Sequence, residues 1–172
     1  MVLGVALFCV ALADQAEPCN DRFDLGEALG EGCSGLVRAA ADLVTGRLDL
    51  VAKMSTRGEG GCGMVLEAMA LDRLRGLGFP EVVGLFRDGD SEMLVMQRLH
   101  RDLQSVRQDC AGGRFTAEAV VGIGSQVIRQ LKALHQVGLA HSDVKPKNIM
   151  FAEKCSSIVH LVDFGLCRPF RL

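Results

Sequence analysis

The hydrophobic pattern changes near the middle of the chain from short apolar stretches to helical spacing, and this change limits the possible folds more than any other feature. In the first half, Gly, Asp and Arg separate five apolar stretches of strand length: residues 23–29, 36–41, 48–54, 82–86 and 92–97. From Thr116, a suitable N-cap, apolar residues recur at helical spacing until Gly138. We therefore predict an α+β protein in which a mostly antiparallel sheet precedes a long helix.

One further helix is predicted inside the strand-rich half. Residues 64–75 carry apolar side chains at three- to four-residue spacing and end before Gly76 and Gly78. A polar connector at 97–115, with Gly112 and Gly113 as its clearest turn, separates the sheet from the long helix.

Composition describes an ordinary folded protein. The 172 residues suit one domain, and 49% apolar residues, 23% charged residues and a net charge of −2 exclude a disordered tail and give no sign of a nucleic-acid or membrane partner. Seven scattered cysteines form no Cys-x-x-Cys pair, so reduced thiols are favoured over a zinc site or a disulfide framework. These are Cys9, Cys19, Cys33, Cys62, Cys110, Cys155 and Cys167.

The N-terminal segment leaves two interpretations open. Residues 1–13 are uncharged, largely apolar and end in Ala-Leu-Ala, as a short secretory signal does, but no Lys or Arg precedes the apolar run. The alternative is an extension outside the fold, and the run is too short to span a bilayer. We treat residues 1–20 as this apolar segment and expect a cytoplasmic protein.

A glycine-rich segment lies between the first two predicted strands. Gly30, Gly32 and Gly35 stand in G-x-G-x-x-G register, followed by Val37. Between two strands this pattern can cover nucleotide phosphates with backbone N–H groups, whereas the dinucleotide-binding version opens a helix. An ordinary glycine-rich hairpin would show the same letters.

Lys53 is the single charged residue of the apolar stretch 50–54. Burying a lysine is costly unless an anion meets it. A bound phosphate could supply that anion, and so could Glu67, which lies on the helix predicted over 64–75.

Two segments contain an aspartate that could serve phosphoryl transfer. A loop of that kind needs an Asp, a Lys two positions later, and an Asn five positions later that holds magnesium. After Asp102, in "HRDL", those positions hold Gln104 and Arg107, so this segment is predicted to begin a helix. After Asp143, in "HSDVKPKN", they hold Lys145 and Asn148. Spacing therefore selects Asp143.

Twenty residues later, "LVDFGL" places Asp163 at the end of an apolar strand and beside Gly165. A carboxylate there is suited to a hard divalent cation, although a simple turn aspartate would look the same.

These five motifs occur in the order found in eukaryotic-type protein kinase domains, which the chain resembles over residues 23–170. The resemblance implies a two-lobed fold, with an N-lobe at 21–97 and a C-lobe at 98–172. It also implies that ATP, Mg²⁺ and a protein substrate take part. The chain ends seven residues after Gly165, so we expect a partial C-lobe and a fragment that lacks the activation segment and the helices that bind a substrate peptide.

The resemblance assigns a role to each motif. The glycines would cover the phosphates, Lys53 would hold the α- and β-phosphates, and Glu67 would brace Lys53. Asp143 would be the catalytic base, and Lys145 would neutralise charge on the transferred group. The implied metal ligands are Asn148 and Asp163. The residues implied to surround the adenine are Leu29, Val37, Ala52 and Met150, with Met96 at the back of the pocket.

Two finer features suggest a subgroup and a mode of regulation. Lys145-Pro146 after the catalytic aspartate is typical of serine/threonine kinases, and "LVMQRL", "GFPEVV" and "LVDFGLCRPF" are similar to the casein kinase 1 group. Ser142 replaces the arginine that usually pairs with a phosphorylated activation loop, so we predict a kinase not switched on that way. The alternative function is a non-catalytic nucleotide-binding or interaction module.

Overall fold

The computed structural model describes residues 17–19, 21–32, 35–56, 63–88 and 91–169. The signal-like segment 1–13 therefore lies outside the described residues, as do Cys9, Cys33 and Cys62. The four cysteines in the described part are free thiols: Cys19, Cys110, Cys155 and Cys167. No helix among the described residues is both long and apolar enough to cross a membrane.

The described residues divide into two compact units. The first contains residues up to Asp72 together with Glu81–Arg98, and the second contains Arg73–Pro80 together with the residues from Leu99 onward. The segment 73–80 therefore belongs to the second unit although it connects a helix and a strand of the first.

A sheet of five antiparallel strands forms the first unit, as predicted. A two-residue strand, β1 (Glu17–Pro18), adds to one edge in parallel. The five strands are β2 (Phe23–Gly32), β3 (Gly35–Asp42), β4 (Arg47–Thr56), β5 (Val82–Asp88) and β6 (Ser91–Gln97). Their order in the sheet is β1-β5-β6-β4-β3-β2. Residues 17–19, which the sequence places in the N-terminal segment, join this sheet because Cys19 N–H donates to the Arg87 carbonyl.

The sheet has an apolar core on one face. In β4, Leu50 and Ala52 pack with Met93 and Val95 of β6 and with Phe23, Ala40 and Phe86. Because strand residues alternate between faces, the intervening residues Val51 and Lys53 point to the opposite face. The single helix described in this part, α1 (Gly63–Arg73), ends near its predicted boundary, and Gly76 follows it with φ of +78°.

Helix α3 (Ala117–Gln136) is the longest element of the second unit. The hydroxyl of Thr116 caps it by accepting from Ala119 N–H, and Gly138 follows it with φ of +79°. The shorter helix α2 (Leu103–Asp109) precedes it. Four short strands form two antiparallel pairs, β7 with β10 and β8 with β9. Their bounds are β7 (Leu139–Ala140), β8 (Ile149–Phe151), β9 (Val159–Leu161) and β10 (Arg168–Pro169).

Candidate active site

The glycine-rich segment forms a hairpin between β2 and β3, in which Gly32 pairs with Gly35. Gly35 has φ of +106°, and a Cβ there would lie 2.2 Å from the Met54 carbonyl oxygen, so the position requires glycine. At Gly30, by contrast, a Cβ atom would meet no described atom within 4 Å. The backbone conformation of the hairpin thus explains Gly35, and it does not explain Gly30.

Lys53 and Glu67 form an ion pair inside the first unit. The Lys53 Nζ donates to Glu67 Oε2 at 2.5 Å. The two residues are 8% and 2% exposed. Of the two anions that the sequence offered for Lys53, the structure therefore supplies the helix carboxylate.

Ala52 does not share the face of the sheet that carries Lys53. It packs in the core opposite Val95, because adjacent strand residues point to opposite faces. The prediction that Ala52 contacts adenine beside Lys53 is therefore wrong. Val51, two residues before Lys53, lies on the same face as Lys53 and pairs with Met96. Because every second strand residue shares a face, the sequence alone could have identified Val51 as the neighbour of Lys53 on that face.

The remaining residues proposed for adenine lie in both units. Val37 pairs directly with Lys53, and Met96 is buried on the same face. Leu29 is 40% exposed on β2. Met150 lies in β8 of the second unit, where it pairs with His160.

Asp102 is the N-cap of α2, as the spacing argument predicted. Its Oδ1 accepts from Ser105 N–H at 2.9 Å and its Oδ2 from the Ser105 hydroxyl at 2.5 Å. The carboxylate is thus satisfied within its own first helical turn. "HRDL" is a helix start.

Asp143 is the centre of a hydrogen-bonded cluster in the second unit. Its Oδ2 accepts from Lys145 Nζ at 2.6 Å and from Asn148 Nδ2 at 2.9 Å, and Asn148 Nδ2 also donates to the Asp143 carbonyl at 3.0 Å. The Lys145 bond, followed by that of Asn148, holds the pKa of Asp143 below its usual range. The carboxylate is therefore ionised at neutral pH and able to accept a hydrogen bond from a hydroxyl group.

His141 was missed from the sequence, although it lies two residues before Asp143. Its Nδ1 accepts from Asp143 N–H at 3.3 Å, and its Nε2 lies 3.0 Å from the Val162 carbonyl. Since a carbonyl can only accept, Nε2 carries the hydrogen. Burial lowers the pKa of His141, so the imidazole is neutral at physiological pH. It links the Asp143 loop to the segment before Asp163.

Asp163 follows β9 with φ of +65°. The preceding residue, Val162, donates its N–H to the Asn148 carbonyl at 2.9 Å, so the backbones of the two predicted metal ligands run side by side. Because the Asn148 amide nitrogen donates to Asp143, the amide oxygen is the atom that can face a cation.

Two oxygen donors suit Mg²⁺, which keeps several waters and takes one or two protein ligands together with substrate phosphates. Within the described ranges, no group of three or more His, Cys, Asp or Glu could hold a metal on its own. The residues present therefore fit a magnesium ion that arrives with a nucleotide.

Within each unit, the structure brings predicted residues together. Lys53 and Glu67 meet within the first unit, and Asp143, Lys145 and Asn148 meet within the second, with Asp163 one residue beyond a backbone bond to Asn148. In a comparison with protein families, the model of the protein kinase domain matches residues 23–171.

Proposed function

The chain belongs to the protein kinase domain family, since the match covers most of its length, and we propose that it transfers the γ-phosphoryl group of ATP to serine or threonine hydroxyls of a protein. The observation that carries this proposal is the cluster around Asp143. An ionised carboxylate is held there by a lysine and an asparagine at the spacing that phosphoryl transfer requires.

Asp143 accepts the hydrogen bond of the substrate hydroxyl and orients its oxygen toward the phosphorus atom. Lys145, whose ammonium group already lies 2.6 Å from that carboxylate, offsets negative charge on the transferred group. Asn148 and Asp163 would hold magnesium, which neutralises charge on the phosphates when it is bound.

Lys53 is assigned to the α- and β-phosphates, with Glu67 fixing its position. The Lys53 ammonium group is already buried and hydrogen-bonded to Glu67 before a phosphate arrives, and this fixed position favours phosphate binding. Gly30 supports this assignment, because the hairpin itself does not require glycine there.

Serine/threonine specificity and a place near the casein kinase 1 group are finer parts of the proposal. Lys145-Pro146 supports the specificity, and the segments "LVMQRL", "GFPEVV" and "LVDFGLCRPF" support the place near that group. The free thiols of the described cysteines support a reducing compartment such as the cytoplasm.

Transfer of radiolabelled phosphate from ATP to peptide libraries with Ser, Thr or Tyr as the single acceptor tests both levels. We expect incorporation into the Ser and Thr libraries, and loss of at least about 100-fold in Lys53→Met and Asp143→Asn. Asp102→Asn is the matched control, since it changes the aspartate of the other candidate segment.

Three results would count against the proposal. Incorporation confined to the Tyr library would refute the specificity, and equal loss in the Asp102→Asn control would refute the choice of Asp143. ATP binding without transfer by the unmodified chain would favour the non-catalytic nucleotide-binding module.

A further inference from the structure

Two glutamines of α3 hydrogen-bond the backbone of β9. Gln126 donates to the Ser157 carbonyl at 2.9 Å and accepts from Val159 N–H at 3.1 Å. Gln130 donates to the Val159 carbonyl at 2.7 Å and accepts from Leu161 N–H at 2.7 Å. Each side-chain amide thus supplies one donor and one acceptor, as a residue of a neighbouring strand would.

The spacing of the two glutamines matches the strand. Residues four apart on a helix rise about 6 Å, and backbone groups two residues apart on one edge of a strand lie about 6.7 Å from each other. The pair Gln126 and Gln130 therefore reaches successive groups along the same edge of β9. The other edge pairs with β8, where Ile149 lies opposite Leu161.

Gln130 makes the bonds that lie nearest to the proposed metal ligand. It is 5% exposed, and Val159 and Leu161 are fully buried. Leu161 is two residues before Asp163, and the intervening Val162 is held by Asn148 and His141. Because Val162 joins Leu161 to Asp163 along the backbone, a displacement of Leu161 would strain the two bonds of Val162 and move Asp163 relative to Asn148.

We propose that Gln130 is a positioning residue for Asp163. This inference rests on the proposed function, in which Asp163 and Asn148 share a magnesium ion. Without the Gln130 amide, the buried Val159 carbonyl and Leu161 N–H lose their partners, and β9 must shift or twist to satisfy them. Gln126 has the same chemistry at greater distance from Asp163 and with more exposure, so it provides a matched control.

The test uses the whole chain and Mn²⁺ as a spectroscopic probe for Mg²⁺. Mn²⁺ is titrated into protein saturated with ADP, and the free ion is followed by electron paramagnetic resonance. We expect Gln130→Met to weaken Mn²⁺ binding about 10-fold, the lower end for losing an outer support of a metal ligand. Gln126→Met should change it less than about 2-fold.

Amide hydrogen exchange at Leu161, together with the NMR chemical shift of Asp163 N–H, provides a readout that needs no nucleotide. In Gln130→Met we expect faster exchange at Leu161 and a shifted Asp163 resonance. An unchanged Asp163 resonance and unchanged Mn²⁺ affinity in the folded variant would overturn the inference.

Two further measurements distinguish a failure of the inference from a misfolded variant and from a failure of the proposed function. If Gln130→Met fails to fold, Gln130→Glu replaces it, since it keeps the acceptor for Leu161 N–H and loses the donor to the Val159 carbonyl. We then expect Gln130→Glu to bind Mn²⁺ more weakly than the unmodified chain and Gln126→Met, but more tightly than Asp163→Asn, which should not bind it. An affinity equal to that of the unmodified chain overturns the inference. If the unmodified chain does not bind Mn²⁺ with ADP, the proposed function fails, and the Asp163 resonance alone decides whether Gln130 positions that residue.

Discussion

Replacing Glu67 by leucine removes the carboxylate oxygen that lies 2.5 Å from the Lys53 ammonium group. Both residues are buried, and breaking a buried ion pair from one side typically costs about 3–5 kcal/mol. Lys53 keeps 8% exposure, and its long side chain can move its charge toward water. We therefore expect a loss of about 3 kcal/mol in the free energy of unfolding for Glu67→Leu, and a similar loss for Lys53→Met.

The double variant Lys53→Met with Glu67→Leu should behave differently. It replaces two charges by two apolar side chains of similar volume, which is often neutral or stabilising because neither charge then has to leave water. We expect its stability to lie within about 1 kcal/mol of the unmodified chain, so that the two substitutions are coupled by at least about 5 kcal/mol.

Urea unfolding followed by far-UV circular dichroism measures these differences, because the chain has no Trp or Tyr to report by fluorescence. The same three variants are assayed for phosphoryl transfer. We expect all three to be inactive: Lys53→Met and the stable double variant lack the ammonium group that would meet the phosphates, and Glu67→Leu removes the carboxylate that positions it.

Two results would refute this reasoning. A double variant as unstable as the single variants would mean that the pair is needed for stability. A stable double variant that still transfers phosphate would remove Lys53 from the mechanism.

Three other predictions follow from single positions. Arg22 holds the pKa of the Asp42 carboxyl well below its ordinary value. The contribution of Asp42 to stability is therefore complete above the unfolded pKa of about 3.9 and is lost as the pH falls. Urea unfolding should show that the free energy of unfolding decreases less between pH 7 and pH 3 in Asp42→Asn than in the unmodified chain. Gly35→Ala should cost about 1–3 kcal/mol in the same measurement, because its φ is positive and its Cβ meets the facing strand, whereas Gly30→Ala should cost less than about 1 kcal/mol and weaken ATP binding measured by calorimetry. Asp102→Ala should lower the free energy of unfolding by about 1 kcal/mol through loss of the N-cap and leave phosphoryl transfer unchanged. Asp143→Ala should abolish transfer and change the free energy of unfolding less. Equal effects of the two substitutions in both assays would contradict the separate roles.

Local pattern was sufficient to predict much of this molecule. Apolar stretches of strand length predicted the five strands, and apolar residues at helical spacing predicted α1 and α3, because such patterns reflect which residues of each element are buried. Counting from each aspartate distinguished Asp143 from Asp102, since the required Lys and Asn lie in the same short loop and need no knowledge of distant contacts.

Errors arose where a role depends on the face of a strand or on a partner far along the chain. Ala52 was assigned to the nucleotide because it adjoins Lys53, but alternation turns it into the core. His141 and Gln130 carry no distinctive local signal, since each acquires its role from a backbone group about 20 to 30 residues away.

The sequence by itself determined the family, the order of the motifs and the chemistry that each side chain can perform, because spacing within a loop or strand is a property of the local chain. Tertiary structure decided which groups meet. The Lys53–Glu67 contact, the neutral imidazole between Asp143 and Val162, and the glutamines along β9 each join segments that are distant in sequence. Burial then makes those contacts consequential, because a polar group removed from water must find its partner within the protein.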